Sequence, residues 1–305
     1  MTQRPSATTP RLPDTVVAIT GGARGIGRCA AAAFLRAGAR VVIGDLDADL
    51  CAATARELAA ETAGAEGRIL GLGLDVTDRA SFAAFLDAAE AQVGPLDVLV
   101  NNAGIMPTGR FLEESDAMTD AMLDVNVRGV LTGSKLAGQR FTARGQGHLV
   151  NIASLAGVNP TAGLATYCGT KSFVLAFTDS LYRELQGSGV RVSAVLPGVV
   201  RTELSAGSAV PAWSTSLSTV DPEDIAAAVV GVVGSSRLRV TRPRTLSASI
   251  RLSAMLPTRP RLAFERLTGF DRAFTGADPA ARAAYHARIG AAAQRPAAVE
   301  VPDRG

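Results

Sequence analysis

Two residues of this 305-residue chain, Tyr167 and Lys171 in the run Thr166-Tyr-Cys-Gly-Thr-Lys171, have the types and spacing of an acid–base device. On a helix, residues at i and i+4 share a face, which would make the phenol and the ammonium neighbours. A free tyrosine titrates near pKa ~10, and bringing it towards 7 needs ~4 kcal/mol of preferential stabilisation of the phenolate. A lysine ammonium about 4 Å away supplies roughly that much at an effective dielectric of about 20. Lysine is rare here: of 31 basic residues only Lys135 and Lys171 are lysine. Arginine presents a broad planar fork, whereas the ammonium is a compact charge with three rotatable donors. A surface Tyr–Lys pair would show the same spacing, so the rest of the chain has to decide.

The elements that would position this pair alternate regularly. Short β-branched runs, Val16–Thr20, Arg40–Gly44, Ile69–Leu74, Asp97–Val100, His148–Ile152 and Val190–Leu196, read as strands. Between them, Ala/Leu/Phe-rich segments of helical period predict helices at about 26–37, 47–62, 79–93, 116–143 and 165–187. A further helix over 222–234 is marked by Asp221 as N-cap and Pro222 at the first helical position. This alternation predicts an α/β fold, a doubly wound parallel sheet of about seven strands with helices on both faces, and Arg237–Thr241 is a candidate last strand. The expected division is a disordered leader over 1–13, one domain over 14–242, and a basic, mainly helical or irregular extension over 243–305. In that extension, 246–256 and 261–268 read as short basic amphipathic helices and 279–294 as a more ordinary one.

Composition narrows the chemistry. Cys29, Cys51 and Cys168 are widely spaced and odd in number, and the histidines are His148 and His286 alone, so neither a disulfide framework nor a Cys/His metal site is expected. Ser-His-Asp hydrolysis likewise lacks obvious raw material. With no long apolar run and no apolar leader, a cytoplasmic protein is expected. The net charge of +3 divides into +8 over residues 237–305, with 13 arginines against five acidic residues, and −5 before them. The tail lacks the aromatic interleaving of a nucleic-acid-binding module, and no nucleic-acid partner is expected.

The first strand runs directly into Thr20-Gly-Gly-Ala-Arg-Gly-Ile-Gly27 and then an alanine-rich helix. Gly21 would permit a tight turn, Gly25 close approach of a pyrophosphate, and Gly27 close packing of the helix, whose N-terminus offers free N–H groups. Asp45, 18 residues after Gly27, closes the second strand, where a carboxylate accepts from both ribose hydroxyls and repels a 2′-phosphate. Leu46 follows it rather than a base, and the pair favours NAD over NADP. Arg24 pulls the other way, because an arginine in the loop can pair with a 2′-phosphate. Asp75 suits an adenine amino group, although its Asp-Val-Thr-Asp run could equally cap the next helix.

Taken together, these motifs resemble the short-chain dehydrogenases/reductases in their single-domain form, over roughly residues 14–236. Besides Thr20–Gly27, the resemblance rests on Asp75, Asn101-Asn-Ala-Gly104, Asn126, Ser154, Tyr167-x-x-x-Lys171, and Pro197-Gly198 with Thr202. It implies a Rossmann fold and a catalytic set of Asn126, Ser154, Tyr167 and Lys171. Tyr167 would be the general acid/base, Ser154 would hold the substrate oxygen, Lys171 would lower the tyrosine pKa and bind the nicotinamide ribose, and Asn126 would help a water-linked proton path. It also implies a dinucleotide held by Gly21, Ala23, Arg24, Gly25, Ile26 and Gly27 at the pyrophosphate. Asp45, Leu46, Asp75 and Val76 would serve its adenosine half, with Asn102, Ala103 and Gly104 at the ribose. Pro197, Gly198, Val200 and Thr202 would hold the nicotinamide carboxamide and the phosphates. The Tyr-x-x-x-Lys spacing points to alcohol/carbonyl chemistry rather than to enoyl reduction.

The segments expected to choose the substrate, Glu203–Trp213, Ile105–Pro107 and Leu155–Val158, are mostly apolar and hold no lysine or arginine, so a lipophilic alcohol or ketone is expected. Residues 205–219 read as a mobile lid, in which Trp213 could pack on substrate. A homodimer or homotetramer is expected from the resemblance, and the arginine-rich stretch Leu246–Leu267 could meet a membrane surface. The rival reading is a non-catalytic NAD-binding regulator or scaffold on the same fold, for which loss of the serine, tyrosine or lysine would be expected.

Overall fold

Val16 and Ala18 pack on one side of the first strand and Val17 and Ile19 on the other, and all four are buried. A strand buried on both faces belongs to a parallel sheet sandwiched between helix layers. The computed structural model describes residues 12–209, 211, 215, 219–243, 257–269 and 273–293. It contains β1 (Val16–Thr20), α1 (Gly25–Arg36), β2 (Arg40–Asp45), α2 (Ala48–Glu61), β3 (Ile69–Gly73), α3 (Arg79–Gln92) and β4 (Val98–Asn101). There follow α4 (Asp116–Leu123), α5 (Gly129–Arg144), β5 (Gly147–Ile152), α6 (Ala165–Glu184), β6 (Val190–Pro197), β7 (Val199–Val200) and β8 (Thr219–Val220). The last are α7 (Pro222–Val232), β9 (Arg239–Arg242), α8 (Thr258–Thr268) and α9 (Pro279–Ala293).

Seven parallel strands in the order β3-β2-β1-β4-β5-β6-β9 form the main sheet, the doubly wound architecture expected. The order reverses between β1 and β4, and a crevice opens at the carboxyl ends of the strands beside such a switch point. One face of the sheet packs Phe34, Leu35 and Leu58 with Ile225 and Val229, and the other packs Phe82, Phe85, Leu86, Phe141 and Leu149.

Helix starts follow local chemistry with two instructive differences. Asp47, Asp78 and Ser115 cap α2, α3 and α4 through their side chains, whereas α1 begins at Arg24 with no side-chain cap. Asp221 sits at the cap position of α7 but makes no cap bond; its carboxylate pairs with Arg201 at 2.6 Å. The helix expected over 116–143 is α4 and α5 joined by one π turn at Asp124–Arg128. Such a turn inserts a residue into the helical ladder and often marks functional positions.

The lid and the tail meet. Ala209 donates its N–H to Ala273 O at 2.8 Å, and Asp278 donates to Gly207 O at 2.8 Å. Trp213 and residues 244–256 lie outside the described residues, as do residues 1–11 of the expected leader. No helix among the described residues is long and apolar enough to cross a membrane.

Candidate active site

Four side chains converge behind the carboxyl end of β5. Tyr167 and Lys171 lie one turn apart on the buried face of α6, which continues through Val174, Leu175 and Thr178. Ser154 follows β5 and its hydroxyl accepts from Ala156 N–H at 3.1 Å, fixing the turn that presents it. The same hydroxyl lies beside the Tyr167 phenol and opposes the rise of its pKa. Asn126, wholly buried in the π turn, accepts from Ile105 N–H at 2.8 Å and donates to Ile105 O at 2.9 Å. Its amide also donates to Thr170 Oγ1 at 3.2 Å, and that hydroxyl donates to Tyr167 O at 2.7 Å. The π turn thereby ties the loop after β4 to the turn of α6 that bears the tyrosine.

Lys171 donates to Ile152 O at 2.9 Å, and its Nζ lies 5.7 Å from the centroid of the Tyr167 ring. Burial lowers its pKa to about 8, because an ammonium taken from water is disfavoured. Burial acts on the phenol as well. It pushes Tyr167 above the ordinary tyrosine value, and the Ser154 hydroxyl offsets only part of that. Burial thus makes the phenol hold its proton more tightly than a free tyrosine does.

The glycine-rich loop forms the other end of the cleft. Gly21 has φ +62°, and a Cβ at Gly27 would stand 2.1 Å from Gly21 O, so only glycine lets α1 start against the turn. The uncapped N-terminus of α1 and this close-packed turn fit a dinucleotide pyrophosphate, whose oxygens can accept from the free N–H groups. Asn102, expected at the ribose, spends its amide on Thr20 O at 2.9 Å and Gly21 O at 3.0 Å. The Thr20 hydroxyl takes the N–H groups of Asn102 and Ala103, each at 3.0 Å, so this segment also braces the loop. Asp45 accepts from Ala23 N–H at 3.2 Å, while Arg24 pairs with Asp47 at 3.1 Å. Asp75 accepts from the Thr77 N–H at 2.9 Å and hydroxyl at 2.6 Å, and the cap of α3 is Asp78 instead.

A single cleft of about 1990 Å³ gathers most of the sequence-predicted set, including Ser154, Tyr167, Lys171, Gly21, Asp45, Leu46, Asp75, Val76 and Thr202. Arg24, Gly25, Ile26, Asn102, Ala103, Gly104, Pro197, Gly198 and Val200 line it too. Ala23, Gly27 and Asn126 do not; they sit behind its wall. Among the described residues no cluster of metal-ligating side chains occurs.

The tail supplies a wall through residues that sequence reasoning did not single out. Arg282, 1% exposed, donates to Met106 O at 2.7 Å, Leu204 O at 2.9 Å and Ala206 O at 3.0 Å, clasping the two segments that flank the substrate end. Tyr285 OH accepts from Met106 N–H at 2.7 Å. The Arg282 and Arg288 guanidinium carbons lie 5.3 and 5.4 Å from the Tyr285 ring centroid, and Arg288 also pairs with Glu203 at 2.5 Å. Burial pushes the Tyr285 phenol up to about 12, against the opposing pull of the two cations. Tyr285, Ile289 and Phe274 face the same cleft as Met106, Leu155, Leu164 and Leu204, which makes its inner end largely apolar. The signal available in the sequence was the stripe Arg282, Tyr285, Ile289 at i, i+3 and i+7.

A family model described as short chain dehydrogenase matches residues 15–210. The chain is 40% identical over 209 residues to the probable oxidoreductase EphD of Mycobacterium tuberculosis, a match covering 68% of this chain and 35% of that protein. This chain thus spans about a third of the length of that relative. It is also 40% identical over 196 residues to 2,5-dichloro-2,5-cyclohexadiene-1,4-diol dehydrogenase LinX of Sphingobium indicum, covering 64% of this chain and 77% of that protein. Among solved structures, a Burkholderia phymatum short chain dehydrogenase/reductase in complex with NAD superposes with TM-score 0.71 at 26% identity, covering 79% of this chain and 93% of that one.

Proposed function

The chain belongs to the short-chain dehydrogenase/reductase family, and from that premise we propose that it is an NAD-linked oxidoreductase interconverting an alcohol with a ketone or aldehyde on a hydrophobic substrate. The observation that carries the reading is one cleft with Ser154, Tyr167 and buried Lys171 together at one wall and the uncapped, glycine-lined start of α1 at another. The nicotinamide, when bound, takes or gives the hydride.

This chain's own residues handle the proton and the orientation. Ser154 holds the substrate oxygen, and Tyr167 donates a proton to it in reduction or accepts one in oxidation. The placing of the phenol beside Ser154 in the cleft supports the acid role. In oxidation the phenolate has to be held by the Ser154 hydroxyl and the Lys171 ammonium. Asn126 keeps the loop after β4 in register with α6 through Thr170. NAD is favoured over NADP because Asp45 borders the cleft and Arg24 is already paired with Asp47. The Met106, Leu155, Leu164 and Phe274 walls support a lipophilic substrate, and the Sphingobium relative's name, a cyclohexadienediol dehydrogenase, supports carbonyl/alcohol chemistry. A homo-oligomer is supported by exposed Phe173 stacked on Phe177 at 5.9 Å. A monomer in analytical ultracentrifugation would remove that part of the reading.

The test is a panel of lipophilic alcohols and ketones with NAD(H) and NADP(H), read at the reduced-nicotinamide absorbance, for the wild type and Tyr167→Phe. Removing the phenolic proton should lower kcat by about 10²–10⁴-fold while NADH binding, followed by fluorescence, persists. Full turnover in the variant would refute the mechanism, and binding without any wild-type turnover would favour the regulator.

A further inference from the structure

Tyr285 is a second phenol on the wall of the substrate end, supplied by α9 rather than by the motif-bearing part of the chain. It is 5% exposed, and its oxygen accepts from Met106 N–H at 2.7 Å. A hydroxyl has one proton to give, and among the described residues no acceptor takes this one. The Arg282 and Arg288 guanidinium carbons, 5.3 and 5.4 Å from its ring centroid, belong to donors without acceptor capacity. The phenol therefore borders the cleft with its acceptor side filled and its donor side open.

Resting on the dehydrogenase reading above, we propose that Tyr285 is a specificity-determining residue whose hydroxyl donates a hydrogen bond to a second oxygen of the substrate, so that the preferred substrate is a diol, hydroxyketone or similarly dioxygenated compound. The reacting oxygen goes to Ser154 and Tyr167, and the second oxygen goes to Tyr285. Arg282 and Arg288 hold its ring, their guanidinium carbons 5.3 and 5.4 Å from its centroid. A substrate lacking the second oxygen leaves a buried donor unmatched, which is the situation in which polar sites discriminate strongly.

The full chain is assayed with NAD on matched pairs: cyclohexanol against 1,2-, 1,3- and 1,4-cyclohexanediol, and 2-decanol against 2,3- and 2,5-decanediol. The wild type should favour at least one diol over its mono-alcohol by about tenfold in kcat/KM, and Tyr285→Phe should bring that ratio close to one. The ratio is the readout because a loss of stability lowers both members of a pair alike. If the variant is too unstable to assay, the wild-type ratio decides, together with protection against thermal unfolding by 1,4-cyclohexanedione compared with cyclohexanone. No diol preference in the wild type, or an unchanged ratio in Tyr285→Phe, overturns the proposal and leaves the dehydrogenase reading intact. A wild type inert towards every pair overturns that reading and the proposal with it.

Discussion

His148 gives the sharpest test of the physical reasoning, because its protonation state is fixed by three neighbours. Ser193 Oγ donates to Arg237 O at 2.6 Å, so in its 2.9 Å contact with His148 Nε2 the serine must accept, and Nε2 carries the hydrogen. Nδ1 accepts from Gly234 N–H at 3.2 Å and has no room for a proton of its own. Burial, assisted by the nearby Arg191 charge, lowers the ring from 6.5 to about 4. The unfolded chain therefore binds the proton first, and stability falls as pH falls. The contribution is complete above pH 6.5 and disappears progressively down to about 4. The shift corresponds to about 3 kcal/mol in full and about 2 kcal/mol between pH 7 and pH 5. Urea unfolding of the wild type and His148→Gln at those two pH values isolates the term, because other groups titrate in both proteins. The wild type should lose about 2 kcal/mol more than the variant. Equal losses would show that the ring titrates normally and that the hydrogen-bond assignment is wrong. The functional consequence is local: His148 joins β5, β6 and the turn before β9, and β5 and β6 lead to Ser154 and to Pro197.

Two further perturbations probe the cleft. Arg282→Leu leaves the carbonyls of Met106, Leu204 and Ala206 without their cation; KM should rise by about tenfold or more with a smaller change in kcat, since each lost charge-assisted bond is worth about 1.5–3 kcal/mol before solvent replaces it. Steady-state kinetics decide this, and an unchanged KM would mean that α9 does not form the substrate wall. Asp45→Asn keeps an acceptor for Ala23 N–H but removes the charge; the NAD-to-NADP ratio of kcat/KM should fall by about tenfold, one or two electrostatic contacts' worth. A ratio that does not move would place the discrimination elsewhere, with Arg24 as the first residue to examine.

What could be read from the chain beforehand is the chemistry that depends on near neighbours in sequence. The strand-to-loop-to-helix run Thr20–Gly27 and the one-turn spacing of Tyr167 and Lys171 carry their geometry in themselves. The short β-branched run of β1 and the strand–helix alternation were equally legible, and the seven-strand parallel sheet follows from them. What could not be read concerns side chains whose partner lies far along the chain. Asp221 looks like a helix cap from its neighbours alone, yet Arg201 takes its carboxylate. Asn102, expected at the ribose, lines the cleft, and the carbonyls its amide braces lie 81 and 82 positions earlier. The phenol of Tyr167 was expected to be acidified by Lys171. In this structure the ammonium donates to Ile152 O, and burial, which no local pattern reveals, raises the phenol's pKa.

The tail shows the same principle at its strongest. A buried helix face is normally recognised by an apolar stripe, but the stripe of α9 begins with an arginine, a residue type almost never fully buried without partners. Its partners are three backbone carbonyls, and carbonyls have no signature in sequence. The loops that supply them, around Met106 and Leu204, are the segments the sequence marked as choosing the substrate. An arginine that binds both loops at once couples their positions, so a ligand that moves one must move the other or detach α9. Substrate selection in this chain is therefore a property of the two loops and α9 acting as one unit, and changes confined to residues 203–213 would be expected to alter it only in concert with Arg282 and Tyr285. Exchanging those residues for the corresponding loop of a relative, with and without Arg282→Leu, tests that coupling: additive effects on kcat/KM would show that loop and helix act separately, whereas a departure from additivity of about 0.5–3 kcal/mol is expected for groups in direct contact.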